Sequence, residues 1–488
     1  MAQKGEKMQS KYKKLLSNSF LFLAAQFGSK VMMLLVVPLY TYILTTSEYG
    51  AIEVSTATLT IAAPCYMLLI YDAVLRFNMS EDTNKKCVLT SALKVFLGGS
   101  VVALTIIPIL QISNSTRQYA GYVYLLIVSY SLFYIFSQFV KGLNSKVFLM
   151  GGIIYTFIFL TSNVYLIAFL KRGVEGYLLS QIVAYFLATL YCVVRMRAWR
   201  FVDFRLKTKN ISKQMLKYSV LLIPNALVWW VIASANRYFI EAIISDEANG
   251  IYGVAAKIPN IITMVGTIFI QAWQLSAIEE KESNEDLVSR KKFFTSVFDL
   301  YSAVLVIGSS ILIMFCKPLL SVLSTEFYDA WKYVPVLLLA SIYMMYAQYW
   351  SSLFVAEKSS KELSSSSVIA GITSLILNFW LIPQFGLLGA TIACFISCFI
   401  MWVIRIYAAR KYNMINVSFI RELVVLVILI IQCVLVLLLA NRLEVYVVNI
   451  LLFGVIIIIY RRQMIASCRM VKSVLGKINR RKKYELND

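Results

Sequence analysis

Residues 218–265 read YSVLLIPNALVWWVIASANRYFIEAIISDEANGIYGVAAKIPNIITMV, a long apolar helix, a short acidic loop at 245–250, and a second apolar helix opened by Gly250. An earlier stretch, Ser17 to Ile61, has the same plan, with Thr45-Thr-Ser-Glu-Tyr-Gly50 in place of Ser245-Asp-Glu-Ala-Asn-Gly250. A repeat at about half the core length predicts two equivalent halves facing each other. The later copy carries Arg237 and Lys257 within its apolar helices, and the earlier copy carries Lys30. A lysine or arginine at mid-bilayer costs at least about 2.5–3.5 kcal/mol, so such residues face a wet or paired interior. The expectation is a basic interior on a two-fold plan.

The rest of the chain sets that repeat in a membrane. Of 488 residues, 60% are hydrophobic and 15% charged, and the mean hydropathy is +0.74. Soluble domains are closer to half apolar and a quarter charged. Apolar runs of about 20 residues, long enough to cross the hydrocarbon core, recur from end to end. The fold class expected is an all-α polytopic membrane protein of about fourteen transmembrane helices. The first apolar run is too long for a signal-peptide core and reads as a retained helix.

The net charge of +22 is unevenly placed. With the N-terminus in the cytoplasm, about 37 cations fall in inside segments and about 6 in outside loops, the positive-inside pattern. The basic charge is therefore an orientation signal with some affinity for membrane lipid, and nucleic acid is not an expected partner. Both termini come out cytoplasmic. The chain divides into a basic N-terminus (1–16), a first six-helix lobe (17–198), a basic linker (199–216), a second six-helix lobe (217–412), two further helices (413–461) and a basic tail (462–488). The lobes are expected to be related by a pseudo-two-fold axis.

Catalytic chemistry is poorly supplied. Histidine is absent and the eight cysteines lie mostly in apolar runs, which removes the usual general base and the usual metal ligands. No Walker loop, dinucleotide glycine pattern or Gly-x-Ser-x-Gly elbow occurs. No cofactor and no enzyme activity are expected.

Charged and polar residues within spans are the candidates for function. Lys30 lies about thirteen residues from either end of its helix, too deep to snorkel. Arg237 and Lys257 lie roughly 9–10 Å from the outer ends of their spans, and Arg237 has Glu241 one turn later. Asp72 and Arg76 have the same spacing and read as a local pair, and Lys94 reads as a snorkelling lysine. Asp299 is the leading candidate for an ion-coupling carboxylate, with Asp72 and Glu241 behind it. Trp230, Asn225, Asn236, Asn260 and Gln271 gather around the cations, with Trp229 and Trp273 flanking. Indole faces stack on sugar rings and amides bind hydroxyls, a set that suits a glycan, although tryptophans also mark membrane interfaces. Pro38, Pro64, Pro224 and Pro259 are expected to interrupt the helix pairs.

The order of several short motifs resembles the Wzx-type oligosaccharide flippases of the multidrug/oligosaccharidyl-lipid/polysaccharide exporter superfamily. They are Gln26-Phe-Gly28, Val37-Pro-Leu-Tyr40, Ser47-Glu-Tyr-Gly50, Lys141-Gly-Leu-Asn144, Val174-Glu-Gly-Tyr177, Asn249-Gly-Ile-Tyr-Gly253 and the segment from Leu381-Ile-Pro-Gln-Phe-Gly386 to Ala390. The resemblance implies a MATE-like fold, two six-helix lobes around a central cavity with two C-terminal helices appended, working by alternating access. It implies a polyprenyl-pyrophosphate-linked oligosaccharide as cargo in a bacterial plasma membrane, delivered to polysaccharide polymerase machinery. Lys30, Arg237 and Lys257 would then stabilise the pyrophosphate. No mid-membrane acid stands out, so the coupling ion is left open. A lipid II flippase, an ion-coupled drug exporter of the same superfamily, and a membrane polysaccharide polymerase are the alternatives. The polymerase needs a larger external loop than the chain offers.

Overall fold

A computed structural model describes residues 28, 31–80, 83–111, 116–282, 287–356, 360–411, 417–439 and 444–463. These residues are helical almost throughout. Ten helices are long and apolar enough to cross a membrane, or up to 13 when three bent helix pairs each count as one span. Much of the first expected span, 17–43, lies outside the described residues. Packing divides the chain into two compact units. One comprises the described residues up to Val254 with Leu323–Phe327, and the other comprises Ala255–Val322 with the described residues from Tyr328 onward.

In the first unit, α1 (Val37–Ile43) starts with Pro38 in its first turn, where the missing N–H costs nothing. α2 (Thr46–Met67) opens on a capping box, since Thr45 Oγ1 accepts from Glu48 N and Glu48 Oε2 accepts from Thr45 N. This reciprocal bond satisfies two of the orphan donors at a helix start. α2 ends where Leu68 and Leu69 both adopt left-handed backbone, φ 49° and 51°, at about 1–2 kcal/mol for each residue with a Cβ. The chain leaves the break at 61° as α3 (Ile70–Asn78). Pro64 sits one turn before that break, and it alone of the four prolines lies inside a helix. Pro38 and Pro224 occupy first turns and Pro259 is the first residue of its helix.

α4 (Lys85–Val102) leads through a 3-10 turn into α5 (Ile106–Leu110). α6 (Ala120–Lys141), α7 (Ser145–Val164) and α8 (Gly173–Met196) follow, with α8 packed on both α6 and α7, and α6 on α2 and α3. A ladder of tyrosines and phenylalanines fills this packing, including Tyr155 stacked on Tyr185 at 4.5 Å and Tyr130 beside Tyr134 at 4.3 Å. α9 (Lys209–Val220) begins within the basic linker. The linker's extended part is pinned to α4, where Thr90 Oγ1 accepts from Asp203 N at 3.1 Å. Lys94 Nζ donates to Leu206 O at 3.0 Å and to Thr208 Oγ1 at 3.3 Å. Lys94 therefore pins the linker to α4. α10 (Ile223–Ser234), α11 (Asn236–Ile243) and α12 (Asp246–Ala255) complete the unit, with α10 and α11 against α2.

The second unit contains α13 (Pro259–Glu282), α14 (Leu287–Leu320), α15 (Val334–Ala356), α16 (Ser360–Phe385), α17 (Leu387–Lys411), α18 (Phe419–Leu439) and α19 (Glu444–Gln463). α16 and α17 turn at Gly386, φ 57°, a backbone conformation that favours glycine. α15 packs on α13, α14 and α17, and α18 packs on α14 and α15. Ser310 donates to Gln432 Oε1 at 2.9 Å, and Gln432 passes a bond on to Asn449 O at 3.3 Å, tying α18 to α14 and α19. Arg405 is wholly buried in α17. Its donors reach Ser366 and Ser367 of α16 and Ala347 O and Ser351 of α15.

Candidate functional site

The two acidic segments that the sequence presents as loops are helix starts, and they meet. Ser245 Oγ accepts from Ala248 N at 3.2 Å, and Thr45 Oγ1 accepts from Glu48 N at the same distance. Both serve as N-caps, because a short side-chain oxygen can reach the free amide three residues on. A Cβ built on Gly50 would lie 2.1 Å from Asp246 O, and one on Gly250 would lie 2.0 Å from Thr46 O. Each would also stand 3.2 Å from the other glycine's nitrogen. Every one of these pairs is 200 positions apart (45 and 245, 46 and 246, 50 and 250), and the contacts are reciprocal. Reciprocal contact between equivalent positions is the mark of a two-fold axis, which here runs between Gly50 and Gly250. Only glycine permits backbones this close.

One turn beyond Gly50 the symmetry is broken on purpose. Position 53 is a glutamate and position 253 a glycine, and a Cβ at Gly253 would meet Glu53 Cγ at 2.5 Å. The absent side chain leaves the room that Glu53 occupies. Buried there, Glu53 Oε2 accepts from Arg237 Nε at 3.0 Å, the two side chains being 8% and 14% exposed. Arg237 also donates to Ala233 O at 3.1 Å and to Asn236 Oδ1 at 3.4 Å, and its guanidinium lies 5.9 Å from the Tyr252 ring centroid. Asn236 in turn donates to Tyr252, and Asn249 Nδ2 donates to Arg237 O at 3.2 Å. A charged pair away from water survives only when its remaining hydrogen-bonding groups are also met, and this network meets the Nη1 donor of Arg237 with a carbonyl and an amide oxygen.

Beside the crossing lies a cavity of about 870 Å³ walled by Thr58, Ile61, Ile106, Ile109, Leu110, Thr116, Trp230, Tyr238 and Ala242, with Glu241, Ser245, Asp246 and Glu247. Trp230 Nε1 donates to Ala57 O at 2.9 Å and Tyr238 shares a 2.6 Å bond with Thr58, which hold both rings in the wall. Three carboxylates and no lysine or arginine line this space.

The structure thus brings Arg237, Asn236, Trp230 and Glu241 into one region. Lys30 lies outside the described residues. Lys257 is half-buried on the turn before Pro259, in the second unit. Asn225, Asn260 and Gln271 are exposed. Asp72 is half-buried, and its expected partner Arg76 instead lies 5.3 Å from the Tyr218 ring centroid. Asp299 bonds Arg421 at 2.6 Å. Glu53 and Glu422, near the ends of their expected spans, are buried acids that the sequence reading did not single out. Each stands at the opening of an apolar run, and that position was the available signal.

Comparison with known proteins places these features. A family model described as polysaccharide biosynthesis protein matches residues 15–274, the region holding both capped helices. An uncharacterized membrane protein of Methanocaldococcus jannaschii is 23% identical over 256 residues, 50% of this chain and 60% of that protein, so the match spans under two thirds of the relative. Among solved structures, the lipid II flippase MurJ in an inward closed conformation gives a TM-score of 0.65 at 14% identity, covering 92% of this chain and 99% of that one. An inward-facing multidrug resistance MATE family transporter gives 0.54 at 13% identity, covering 81% and 93%. A MOP superfamily transporter from Pyrococcus furiosus, titled for the reverse polarity of its binding pocket, gives 0.51 at 12% identity, covering 81% and 94%. At such identities the likeness is one of fold. The chain is a multi-pass membrane protein with the fold of these MOP-superfamily transporters, and it belongs to the polysaccharide biosynthesis protein family.

Proposed function

We propose that this protein is a flippase, carrying polyprenyl-pyrophosphate-linked oligosaccharide units across the bacterial plasma membrane for surface polysaccharide assembly. The observation that carries the reading is the Gly50–Gly250 crossing with the buried Glu53–Arg237 pair beside it. Two equivalent helix starts that touch through glycine backbones and one ion pair form a contact that can be made or broken as a unit. Alternating access needs such a contact. By the charge asymmetry of the loops the crossing belongs to the outer side of the membrane, where it would close the path outward. Glu53 here holds the guanidinium that a pyrophosphate would use. Breaking the crossing separates the pair and presents Arg237 to an anionic headgroup, for which the sequence offers Lys30 and Lys257 as further cations. The glycan travels in water and the polyprenyl tail stays in lipid, with both termini in the cytoplasm.

The test is the sidedness of the lipid-linked oligosaccharide in cells depleted of the protein. Accumulation on the cytoplasmic face, with surface polysaccharide lost, is the expected result. Accumulation of single units on the outer face would place the block after flipping and replace this reading with a polymerase role.

A second reading has its own observation. The cavity beside the crossing, aromatic and apolar with Glu241, Asp246 and Glu247 and no cation in its lining, suits an amphiphilic organic cation. An ion-coupled exporter of such cations would leave the oligosaccharide distribution untouched on depletion and raise the sensitivity of the cells to lipophilic amines.

A further inference from the structure

Away from the crossing, in the second unit, four helices converge on Glu422. It is 1% exposed, and its neighbours Ser302, Tyr346 and Tyr460 are 0%, 1% and 0% exposed. The groups facing it are Asp299 and Ser302 from α14, Tyr346 from α15 with Tyr343 edge-on to it, Arg421 from its own helix α18, and Tyr460 and Gln463 from α19.

Two independent counts disagree with an ionised Glu422 at rest. The first is of charge. Arg421 Nη2 donates to Asp299 Oδ1 at 2.6 Å and to Glu422 Oε1 at 2.7 Å, so one guanidinium serves two carboxylates. Gln463 adds a neutral donor to Asp299 at 3.5 Å. One negative charge is left over, and although the Asp299 and Arg421 side chains are 19% and 16% exposed, Glu422 itself is shut off from water, where uncompensated charge is costly. The second count is of protons. Ser302 Oγ is within hydrogen-bond distance of Tyr346 OH, Tyr460 OH and Glu422 Oε2, and Tyr346 OH reaches Glu422 Oε2 at 3.0 Å. Setting aside the longer approach of Ser302 Oγ to Glu422 Oε1 at 3.5 Å, which shares the proton given to Oε2, these are four oxygen–oxygen contacts among groups that own three hydroxyl protons. An ionised Glu422 leaves one contact with no proton in it. A protonated Glu422 fills all four, donating to Tyr346, which donates to Ser302, which donates back to the carboxyl, with Tyr460 donating to Ser302.

We infer that Glu422 is a proton-binding site, holding one exchangeable proton that locks α18 and α19 onto α14 and α15. Both counts are short by the same single proton. The oxygens already touch at hydrogen-bond distance, so the vacancy is proton-sized and has no room for a metal ion. Loss of the proton leaves a net negative charge and an oxygen pair with nothing between them, and the C-terminal helix pair loosens. The inference is independent of the cargo.

Hydrogen exchange of the full chain in lipid nanodiscs tests it, read on the peptides of α19 and corrected for the intrinsic pH dependence of exchange. Wild-type protection is expected to fall as pH rises through a single transition between about pH 5 and about pH 9, approaching tenfold per pH unit on its steep limb as one-proton linkage requires. Glu422→Gln mimics the protonated state and should hold the low-pH protection at every pH. Asp299→Asn removes the leftover charge but not the unfilled contact, and should move the transition to lower pH. Tyr460→Phe deletes one contact together with one proton, so its transition should remain. Flat wild-type protection overturns the inference. So does protection that responds to exchanging choline for sodium at fixed pH, which would make the ligand sodium. Should Glu422→Gln fail to fold, an unchanged transition in Asp299→Asn overturns it in the same way.

Discussion

Arg237 donates its Nε–H to Glu53 at 3.0 Å, joining residues 184 positions apart in the sequence. The bond forms because Gly253, the symmetry equivalent of Glu53, has no side chain to occupy the space. Removing one member of a buried pair strands the other, at about 3–5 kcal/mol. Glu53→Gln and Arg237→Gln are each expected to destabilise the protein by that order, and the double variant by much less than their sum. Thermal unfolding of the four proteins in nanodiscs, treated as a double-mutant cycle, measures the coupling. Additive losses would sink the pairing.

The Gly50–Gly250 contact makes a symmetric forecast. Because an added Cβ at either position runs into a backbone carbonyl, at 2.1 or 2.0 Å, neither can be absorbed by rotating a side chain. Gly50→Ala and Gly250→Ala should separate the helix starts equally. Spin labels placed on α2 and α12 would report the distance. A wild-type distribution in either variant would show that the backbones are not in the contact described.

Arg405 is buried without a carboxylate partner among the described residues, held by three serine hydroxyls and one carbonyl. Those hydroxyls keep their own donor bonds to Leu363 O and Ala347 O if the guanidinium is lost. Arg405→Met should therefore cost no more than about 2 kcal/mol, as replacement of a buried charge by an apolar group of similar length often does. Arg405→Lys keeps the charge, loses the fork that serves three serines, and should cost more. Unfolding midpoints in the same lipid settle the order, and a more stable lysine variant contradicts it.

Lys94 and Thr90 fix the segment between the sixth and seventh spans to α4. Lys94→Met removes two of the three bonds. At about 1 kcal/mol each, trypsin should cut at Arg205 or Lys207 several-fold to about thirtyfold faster while the helices stay intact. An unchanged cleavage rate would mean that the segment is held by something else.

Composition and periodicity were enough to establish a helical membrane protein, because the burial of an apolar helix depends on residues three and four apart and on total length. The repeat of a capped, glycine-bearing helix start was legible too, as Thr45 with Gly50 and Ser245 with Gly250 stand at the same spacing. Read as loops, those segments concealed that their acids belong to first turns. Charge partners were not legible. Arg237 was expected to look to Glu241, one turn away, and nothing local announced Glu53, which the structure also brings to it. Asp299, expected to await an ion, is held by Arg421. Arg405, near the end of an apolar run, is met by serines of two other helices. A local pattern states which face of a helix is apolar; which distant side chain meets it depends on how whole helices pack. At 200 positions' separation, the sequence by itself determined that the two helix starts were equivalent. Only the tertiary structure decided that they touch, since contact across that distance is set by the close approach of two backbones that glycine permits and does not require.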